Sequence, residues 1–279
     1  MTICPICSDP IRAPFVTREV AGAEPLVYGR CEACGHAPLV RGAAPPTLYT
    51  DEGYFHRRDA GGAGYDDYAA ERTYREGRAR DLLDWIAEAA NVHPPGTLLE
   101  VGSGFGFTRR AAAERGFSTT GVDVNPHAAA AARALYGMDT FRGTLAEALA
   151  SRAITSGTFD LVLYQFVLEH LPDPVDELIR AANALSTNGV IALLLPSADA
   201  YELEVFGGAY RSLRHDHLHL FSRASIAHAL DAAGLDLVAL TSTCNRHLLA
   251  DRFSPDELRA LYASGRGPDL RVAARRRSA

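Results

Sequence analysis

The sequence contains no lysine and is also poor in methionine and tryptophan. All 28 basic residues of the 279-residue chain are arginines, and 34 acidic residues outnumber them, which gives a net charge of -6 and a pI near 5.9. Proteins that coat polyanions need net positive fields. The charge therefore argues against a chain whose main task is to cover nucleic acid, and we interpret the exclusive use of arginine as a bias of codon composition.

Long apolar segments are missing as well. The start, Met1–Cys4, lacks the basic and apolar regions of a secretory signal, and no uninterrupted apolar run has the length of a membrane span. With 47% apolar and 22% charged residues, the composition is that of a globular protein. We expect a cytoplasmic protein without a membrane partner, and the length suits one enzyme domain of roughly 100 to 200 residues plus an appendage.

Cysteine is scarce, but its placement is uneven. Four of the five cysteines lie within the first 34 residues, as two C-x-x-C pairs separated by 23 residues, which is the spacing of a zinc ribbon. Disulfides are not expected in a reducing compartment. We predict a structural zinc bound by Cys4, Cys7, Cys31 and Cys34; a redox pair, or His36 in place of one cysteine, are the alternatives.

The composition divides the chain into four parts. We predict a zinc ribbon over residues 1–46, a helical and aromatic segment over 47–95, the enzyme domain over 96–255, and a C-terminal helix with a disordered basic tail over 256–279. The second part is rich in aromatic residues among glycines, as expected either of a lid over a ligand or of an irregular packing segment: Tyr49, Tyr54, Phe55, Tyr65 and Tyr68.

The most informative stretch joins a strand to a helix through glycines. Residues 97–101 form a short strand of the buried type, residues 102–106 read Gly-Ser-Gly-Phe-Gly, and a helix follows over residues 108–115. Such a turn lets the backbone approach a ligand beside the free amides of a helix N-terminus. The spacing departs from the G-x-G-x-x-G of dinucleotide folds, and with Glu100 it gives acid-x-G-x-G-x-G, the pattern of S-adenosylmethionine (SAM) binding.

A second strand supports a nucleoside-type ligand. The run from Ser118 ends in Asp123, 17 residues after Gly106. A carboxylate at this point can accept hydrogen bonds from both ribose hydroxyls. Asn125 and Pro126 then begin the next predicted helix.

Further along, the chain resembles the class I SAM-dependent methyltransferases. The resemblance rests on Phe159-Asp160-Leu161-Val162 and on the phrase Leu168-Glu169-His170-Leu171-Pro172-Asp173-Pro174, together with the glycine turn and Asp123, and it covers about residues 68–240. It implies an α/β fold, namely a Rossmann-like, seven-stranded sheet, here preceded by a small zinc-ribbon domain. It also implies SAM as the cofactor.

The resemblance also implies which residues bind the cofactor. The glycine turn and Glu100 would line the methionine and ribose, Asp123 would hold the ribose hydroxyls, and the positions after the later strands would lie near the adenine or the sulfonium. In quinone-type O-methyltransferases that bind a divalent metal, an acid stands where this chain has Phe166, and this departure argues against a catalytic metal of that type. The implied cofactor residues are Glu100, Gly102, Ser103, Gly104, Phe105, Gly106, Asp123, Val124, Thr144, Leu145, Gln165 and Phe166.

Histidines are the candidates for catalysis. Methyl transfer needs a nucleophile held in line with the sulfonium, and a hydroxyl or acidic carbon also needs a base. His170, His217 and His219 are the predicted catalytic residues, with His215 nearby. In an extended segment residues 215, 217 and 219 would share one face, as a base with an orienting partner or as a second metal site. Structural hydrogen bonding is the alternative for each.

Two other features stay open at this stage. Arg211 and Arg214 lie in the predicted substrate insert, where they would bind a carboxylate or phosphate of the substrate or remain solvated surface residues. Leu235–Leu240 and the residues after it are predicted to close the sheet as an antiparallel hairpin, and the isolated Cys244 is interpreted as a buried, inert thiol.

The function that fits best is SAM-dependent methylation of a small molecule, such as a natural product or sugar. An RNA methyltransferase that reads RNA through its ribbon is one alternative. However, the four arginines and four acids of residues 1–46 leave no net charge, whereas phosphate binding needs a basic face, so nucleic acid is not the expected partner. A SAM-dependent cyclase or lyase on the same fold is the other alternative. The oligomeric state is open.

Overall fold

The structure, a computed structural model, describes residues 2–243 and 253–277. Cys244 lies outside this range. The described strands, in chain order, are β1 (Ile11–Arg18), β2 (Leu26–Cys31), β3 (Ala37–Arg41), β4 (Gly96–Val101), β5 (Phe117–Asp123), β6 (Phe141–Arg142), β7 (Phe159–Gln165), β8 (Leu185–Pro196), β9 (His219–Leu220), β10 (Leu235–Ser242) and β11 (Asp269–Arg276).

Helices connect most of these strands. The described α-helices are α1 (Arg72–Ala90), α2 (Phe107–Glu114), α3 (Pro126–Tyr136), α4 (Leu145–Ala150), α5 (Pro174–Ala184), α6 (Tyr201–Phe206), α7 (Arg223–Ala232) and α8 (Pro255–Ala263). Short 3-10 helices cover Pro46–Thr50, Glu52–Phe55, Leu168–His170 and Gly207–Ala209. None of the helices in the described ranges has the length and apolar character needed to cross a bilayer.

A seven-stranded sheet forms the centre, with the strand order β10-β11-β8-β7-β4-β5-β6. Strands β4 to β8 are parallel, whereas β11 is antiparallel to both β8 and β10. The chain moves outward from β4 to β6 and then returns to β7 on the other side of β4. The order therefore reverses beside β4, and ligands of open α/β sheets bind at such a point, outside the carboxyl ends of the strands.

The apolar runs of the sequence explain this sheet. A parallel strand covered by helices on both faces is buried on both sides, and Leu161–Tyr164 of β7 are fully buried accordingly. One face packs against α1 and α2, and the other packs against α5 and α7. The predicted Rossmann-like fold is confirmed.

The C-terminal basic segment is not a disordered tail, so that prediction was wrong. Residues Asp269–Arg276 form β11, between β8 and β10. Leu270, Val272 and Ala274 are buried in the core, and the Arg276 guanidinium donates to the carbonyls of Ala182 and Leu185. The alternation of apolar residues, rather than the density of arginines, determines the structure here.

A four-stranded sheet, in the order β1-β2-β3-β9, carries the N-terminal cysteines. Its fourth strand comes from the insert between β8 and α7, because Ala37 and Pro38 pair with Leu220 and His219. The Ser222 hydroxyl also donates to the Cys34 carbonyl at 2.6 Å. The N-terminal segment is thus joined to the catalytic part by backbone pairing.

Candidate active site

The glycine turn lies at the carboxyl end of β4, beside the point where the strand order reverses. Gly102, Gly104 and Gly106 all have positive φ, a region in which a Cβ is strained. Added side chains would also collide: a Cβ on Gly102 would lie 2.3 Å from Val167, and one on Gly104 would lie 2.9 Å from the Tyr68 hydroxyl. Only glycine therefore permits this turn.

Glu100, two residues before the first glycine, is buried at the start of the turn. Burial raises its pKa to about 7, although the charge of Arg109 and the hydroxyl of Thr108 act in the opposite direction. Its Oε2 and the Ser103 hydroxyl are buried without a hydrogen-bond partner among the described residues. Two unsatisfied polar groups at one turn fit the polar end of a ligand.

Asp123 stands opposite the turn, at the end of β5. Its Oδ2 accepts from the Gly104 amide at 2.7 Å, and its Oδ1 accepts from the Asn125 amide at 2.8 Å. Burial raises the pKa of this carboxyl. Because each carboxylate oxygen can accept a second hydrogen bond, Asp123 can bind two ligand hydroxyls while it holds both loops.

The remaining predicted cofactor residues lie at the ends of neighbouring strands. Val124 directly follows β5 and is exposed. Thr144 and Leu145 begin α4 after β6, where the Thr144 hydroxyl is engaged in a capping box with Glu147. Gln165 ends β7. The structure therefore gathers these positions around one edge of the sheet.

The aromatic segment before α1 covers the glycine turn. Phe55 and Tyr68 contact Phe105 with ring centroids 4.8 and 5.0 Å apart. The Asn125 side chain donates to the carbonyl of Tyr49 at 2.8 Å. Sequence reasoning left a lid and a packing segment equally open, and the structure shows an aromatic layer that packs directly on the turn.

A cavity of about 300 Å³ opens next to Phe166, which has a positive φ of 55° at the end of β7. Gln165, His170 and His217 are among its lining residues. A larger cleft of about 480 Å³ between β1 and α6 contains none of the predicted site residues. The smaller cavity therefore combines the strand end expected near the reacting methyl with two of the predicted catalytic histidines.

His217 is oriented for proton transfer. Its Nδ1 lies 2.9 Å from the carbonyl oxygen of Ser212, and because a carbonyl only accepts, Nδ1 carries the proton. Burial lowers the pKa of His217 well below its usual value, so the ring is neutral. A neutral ring with Nδ1–H leaves Nε2 as an acceptor.

His170 contacts His217 and belongs to a polar network. The two rings are 4.9 Å apart, and the His170 Nδ1 donates to the carbonyl of Asp216 at 2.7 Å. Arg214 donates to both carboxylate oxygens of Asp216 at 3.0 Å. Burial alone would raise the pKa of Asp216, but the neighbouring His170, His217 and Arg214 hold it below its usual range. Sequence reasoning did not identify Asp216 as the centre of this network.

Glu169 lies beside these histidines and is fully buried. Neither carboxyl oxygen has a hydrogen-bond partner among the described residues, and burial raises its pKa well above the usual value. One carboxyl oxygen of Glu169 and one ring nitrogen each of His170 and His217 lie within 4.8 Å of one another. Burial thus favours the neutral form of this carboxyl, which stands next to both rings.

The three alternating histidines do not share one face, so that prediction was wrong. A turn, in which the His217 amide donates to the Arg214 carbonyl, interrupts the extended segment. His215 instead pairs with Asp59 at 2.8 Å, while His217 lines the cavity and His219 does not. Alternate side chains lie on the same face only along an extended strand, so the rule does not apply where the backbone turns.

His219 is hydrogen-bonded at both ring nitrogens. Its Nε2 donates to the carbonyl of Leu171 at 3.0 Å, and its Nδ1 lies 3.1 Å from the Nε2 of His36, which therefore donates to it. Burial lowers the pKa of His219 to about 4. His36 lies two residues after Cys34, so this hydrogen bond links the N-terminal sheet to the histidine segment.

The four N-terminal cysteines converge in space. The Sγ atoms of Cys7 and Cys31 are 3.4 Å apart, as are those of Cys7 and Cys34, and those of Cys4 and Cys34 are 3.6 Å apart. Zinc–sulfur bonds of about 2.3 Å in a tetrahedron separate the sulfurs by roughly 3.8 Å. The spacing therefore suits a tetrahedral metal, and all four thiols are free of disulfides.

The chain matches a protein family over residues 74–240, under the description "Methyltransferase domain". It is similar to the ubiquinone biosynthesis O-methyltransferase of Burkholderia thailandensis, with 28% identity over 183 residues, 62% of this chain and 77% of the relative. The corresponding enzyme of Pseudomonas paraeruginosa is 34% identical over 136 residues, 46% of this chain and 56% of the relative.

Solved structures share the fold. A SAM-dependent methyltransferase from Mesorhizobium loti has a TM-score of 0.53 and 20% identity, with 72% of this chain and all of that chain covered. One from Archaeoglobus fulgidus has a TM-score of 0.54 and 16% identity, with 74% of this chain and 98% of that chain covered. The seven-stranded sheet is thus the sheet of these enzymes.

Proposed function

The chain belongs to the methyltransferase domain family and is a SAM-dependent methyltransferase, and we propose that it methylates a hydroxyl group of a small molecule held in the cavity beside Phe166. The main support is that a buried His217, whose Nδ1 is engaged by the Ser212 carbonyl, lines the same cavity as Gln165 at the end of β7. The names of the relatives, which are O-methyltransferases, support the choice of a hydroxyl.

The residues present fit SAM. The buried Glu100 Oε2 and Ser103 hydroxyl, both without a protein partner, would bind the polar end of the methionine, and Asp123 would bind the ribose hydroxyls. When bound, SAM supplies a methyl group activated by its positively charged sulfur. The protein must then hold the acceptor oxygen in line with that methyl group.

In this mechanism His217 moves the proton. Its Nε2 receives the proton of the substrate hydroxyl as the oxygen attacks, while the Ser212 carbonyl fixes the ring orientation through Nδ1. His170 packs against the ring and serves as a positioning residue. The aromatic layer over the glycine turn excludes water from the cofactor side.

Zinc would have a structural role. We assign one ion per chain to Cys4, Cys7, Cys31 and Cys34, supported by the sulfur separations. A small four-stranded sheet has little core of its own, and a metal supplies folding free energy to such units. The ion would stabilise β3 and thereby its pairing with β9.

The contacts of the N-terminal sheet disfavour an RNA reader. The Tyr28 hydroxyl, in β2, donates to the carbonyls of Arg214 and His217 at 2.7 and 2.9 Å. The sheet thus holds the histidine segment, and residues 1–46 have no net charge for phosphate binding.

A labelled-methyl assay tests the proposal. The protein is incubated with SAM carrying a radioactive methyl group and, in separate reactions, with phenols, hydroxy acids, nucleotide sugars and total RNA. We expect label only in a small-molecule hydroxyl compound, and transfer at least about 10²-fold slower with a His217→Ala variant that still binds SAM. Label in RNA would replace the proposal by the RNA alternative, and conversion of a small molecule without transfer of label would point to a cyclase or lyase.

A further inference from the structure

The cavity beside Phe166 is unusually rich in arginine for a protein with a net charge of -6. Two acids, Glu71 and Asp269, line it, and five arginines do: Arg58, Arg75, Arg78, Arg211 and Arg214. The lining histidines do not change this balance, because burial lowers the pKa of both His170 and His217. The lining therefore has an excess of positive charge.

Three of these arginines have their own partners, and the first of them, Arg58, pairs with Asp66 at 3.4 Å. Arg214 forms a bidentate pair with Asp216. Arg75 pairs with Glu71 at 2.5 Å and lies over the ring of Tyr68, 4.0 Å from its centroid. These guanidiniums are engaged in holding the cavity walls.

Arg78 and Arg211 are in a different position, because they share one carboxylate. Asp269 is 2% exposed and lies 3.6 Å from Arg78 and 2.9 Å from Arg211. Arg271 lies near the pair as well, where burial and the charge of Arg78 lower its pKa and the carboxylates of Asp81 and Asp269 act in the opposite direction. Asp269 is thus shared by Arg78 and Arg211, and these two cations carry one positive charge more than the carboxylate between them balances.

Arg78 also connects this group to the site of reaction. Its guanidinium lies 5.6 Å from the ring centroid of Phe166, the residue that directly follows β7. A second anion bound by Arg78 and Arg211 would thus be part of a molecule that reaches the methyl group. Two guanidiniums offer the paired donors that carboxylates and phosphates accept.

We propose that the methyl acceptor carries an anionic group, a carboxylate or a phosphate, which Arg78 and Arg211 bind. This inference rests on the proposed function, since it takes the cavity as the acceptor site. It narrows the substrate class to anionic small molecules with a hydroxyl group, such as hydroxy acids or phosphorylated hydroxyl compounds.

Calorimetric titration of simple probes tests the inference without the natural substrate. Benzoate and phenyl phosphate are compared with neutral benzamide, each added to protein saturated with S-adenosylhomocysteine. We expect at least one anion to bind ten- to hundred-fold more tightly than benzamide. Preference for phenyl phosphate would identify a phosphate, and preference for benzoate would identify a carboxylate.

Variants distinguish anion binding by Arg78 and Arg211 from attraction by positive charge elsewhere on the protein. Arg78→Gln should remove the preference, since Arg211 alone then neutralises Asp269, and Arg78→Lys should keep part of it. The matched control is Arg133→Gln, a helical, ion-paired arginine that is 75% exposed outside the cavity, and it should behave as wild type. Should Arg78→Gln melt before the titration, Arg211→Gln takes its place.

Two results would overturn the inference: equal affinity for benzamide and both anions, or an unchanged anion preference in a folded Arg78→Gln or Arg211→Gln variant. Either result would leave binding of S-adenosylhomocysteine and labelled-methyl transfer intact, so the proposed function would stand. A failure of the proposed function would show instead as absence of transfer to any small molecule.

Discussion

The two sheets of this protein obtain their stability in different ways. The seven-stranded sheet buries long apolar strands between helices on both faces, whereas the four-stranded sheet carries four clustered cysteines, takes a strand from residues 219–220 and shares its small apolar core with the insert after β8. The large sheet carries, at its carboxyl edge, the glycine turn and Asp123 that we propose bind the cofactor. The small sheet holds the segment that brings His217 into the cavity.

The cysteine-bearing sheet is therefore more than an appendage, because it contacts the histidine segment to which we assign the proton transfer. Three of its contacts reach the histidine segment: the pairing of β3 with β9, the hydrogen bond between His36 and His219, and the bonds from Tyr28 to the carbonyls around His217. Removal of the metal should therefore affect catalysis more than SAM binding.

We expect the largest effect on turnover when the proposed metal ligands are removed. In the double variant Cys4→Ser, Cys31→Ser we expect no bound zinc and turnover reduced to background, because the histidine segment loses its support and small displacements cost about 10²-fold or more. The dissociation constant for SAM should change by less than about ten-fold. Elemental analysis, turnover with the identified acceptor and calorimetry measure these three quantities.

A matched control keeps the metal. Cys7→His provides a Cys₃His site, which zinc accepts, and should retain one ion and most of the activity. If the double serine variant keeps a full zinc content or wild-type turnover, the assignment of the ion to these cysteines or its structural role is wrong.

The variant His217→Ala tests the role of the histidine segment in proton transfer. Turnover should fall by about 10²- to 10⁴-fold with SAM affinity unchanged, since the ring acts only on the acceptor proton. The exposed His93→Ala is the control and should match wild type. A thermal melt beside the kinetics identifies a purely structural effect, in which stability and turnover would fall together.

Asp123→Asn should affect the large sheet alone. Loss of a charged acceptor for the ribose hydroxyls should weaken SAM binding by roughly ten- to hundred-fold, while the zinc content remains at one. Asp139→Asn, at an exposed carboxylate that pairs with Arg133, is the control. An unchanged dissociation constant would mean that Asp123 does not bind the cofactor.

The smallest expected effect is a pH dependence of SAM binding. Glu100 has a pKa raised to about 7 by burial, so it is neutral below pH 7 and must lose its proton before it pairs with the ammonium of SAM. Affinity should therefore fall by up to about ten-fold between pH 7 and pH 6. In Glu100→Gln this dependence should disappear; calorimetry that finds the same slope in both proteins would contradict the role of Glu100.

The sequence predicts the large sheet well because local signals and long-range packing agree there. The apolar run of β4 predicts a buried strand, the glycines predict a tight turn after it, and Asp123 marks the end of the next strand. The Leu-Glu-His-Leu phrase then identifies the segment that follows β7. The cysteine pairs likewise predict that Cys4, Cys7, Cys31 and Cys34 converge.

What the sequence does not predict are contacts between distant segments. Nothing local indicates that Ala37 pairs with Leu220, that His36 bonds to His219, or that an arginine-rich segment is β11. The arrangement of the histidines also depends on a turn at residues 214–217, which a period-2 pattern conceals. Tertiary packing decides these features.

Hydrogen exchange in the protein with and without its cysteine ligands shows whether the N-terminal sheet supports the histidine segment, and it needs no substrate. Comparison of wild type with the Cys4→Ser, Cys31→Ser variant should show that amides lose protection in residues 26–41 and also in residues 212–222, while residues 96–123 keep theirs. Loss of protection confined to the N-terminal residues would contradict the claim that this sheet holds the catalytic histidine segment.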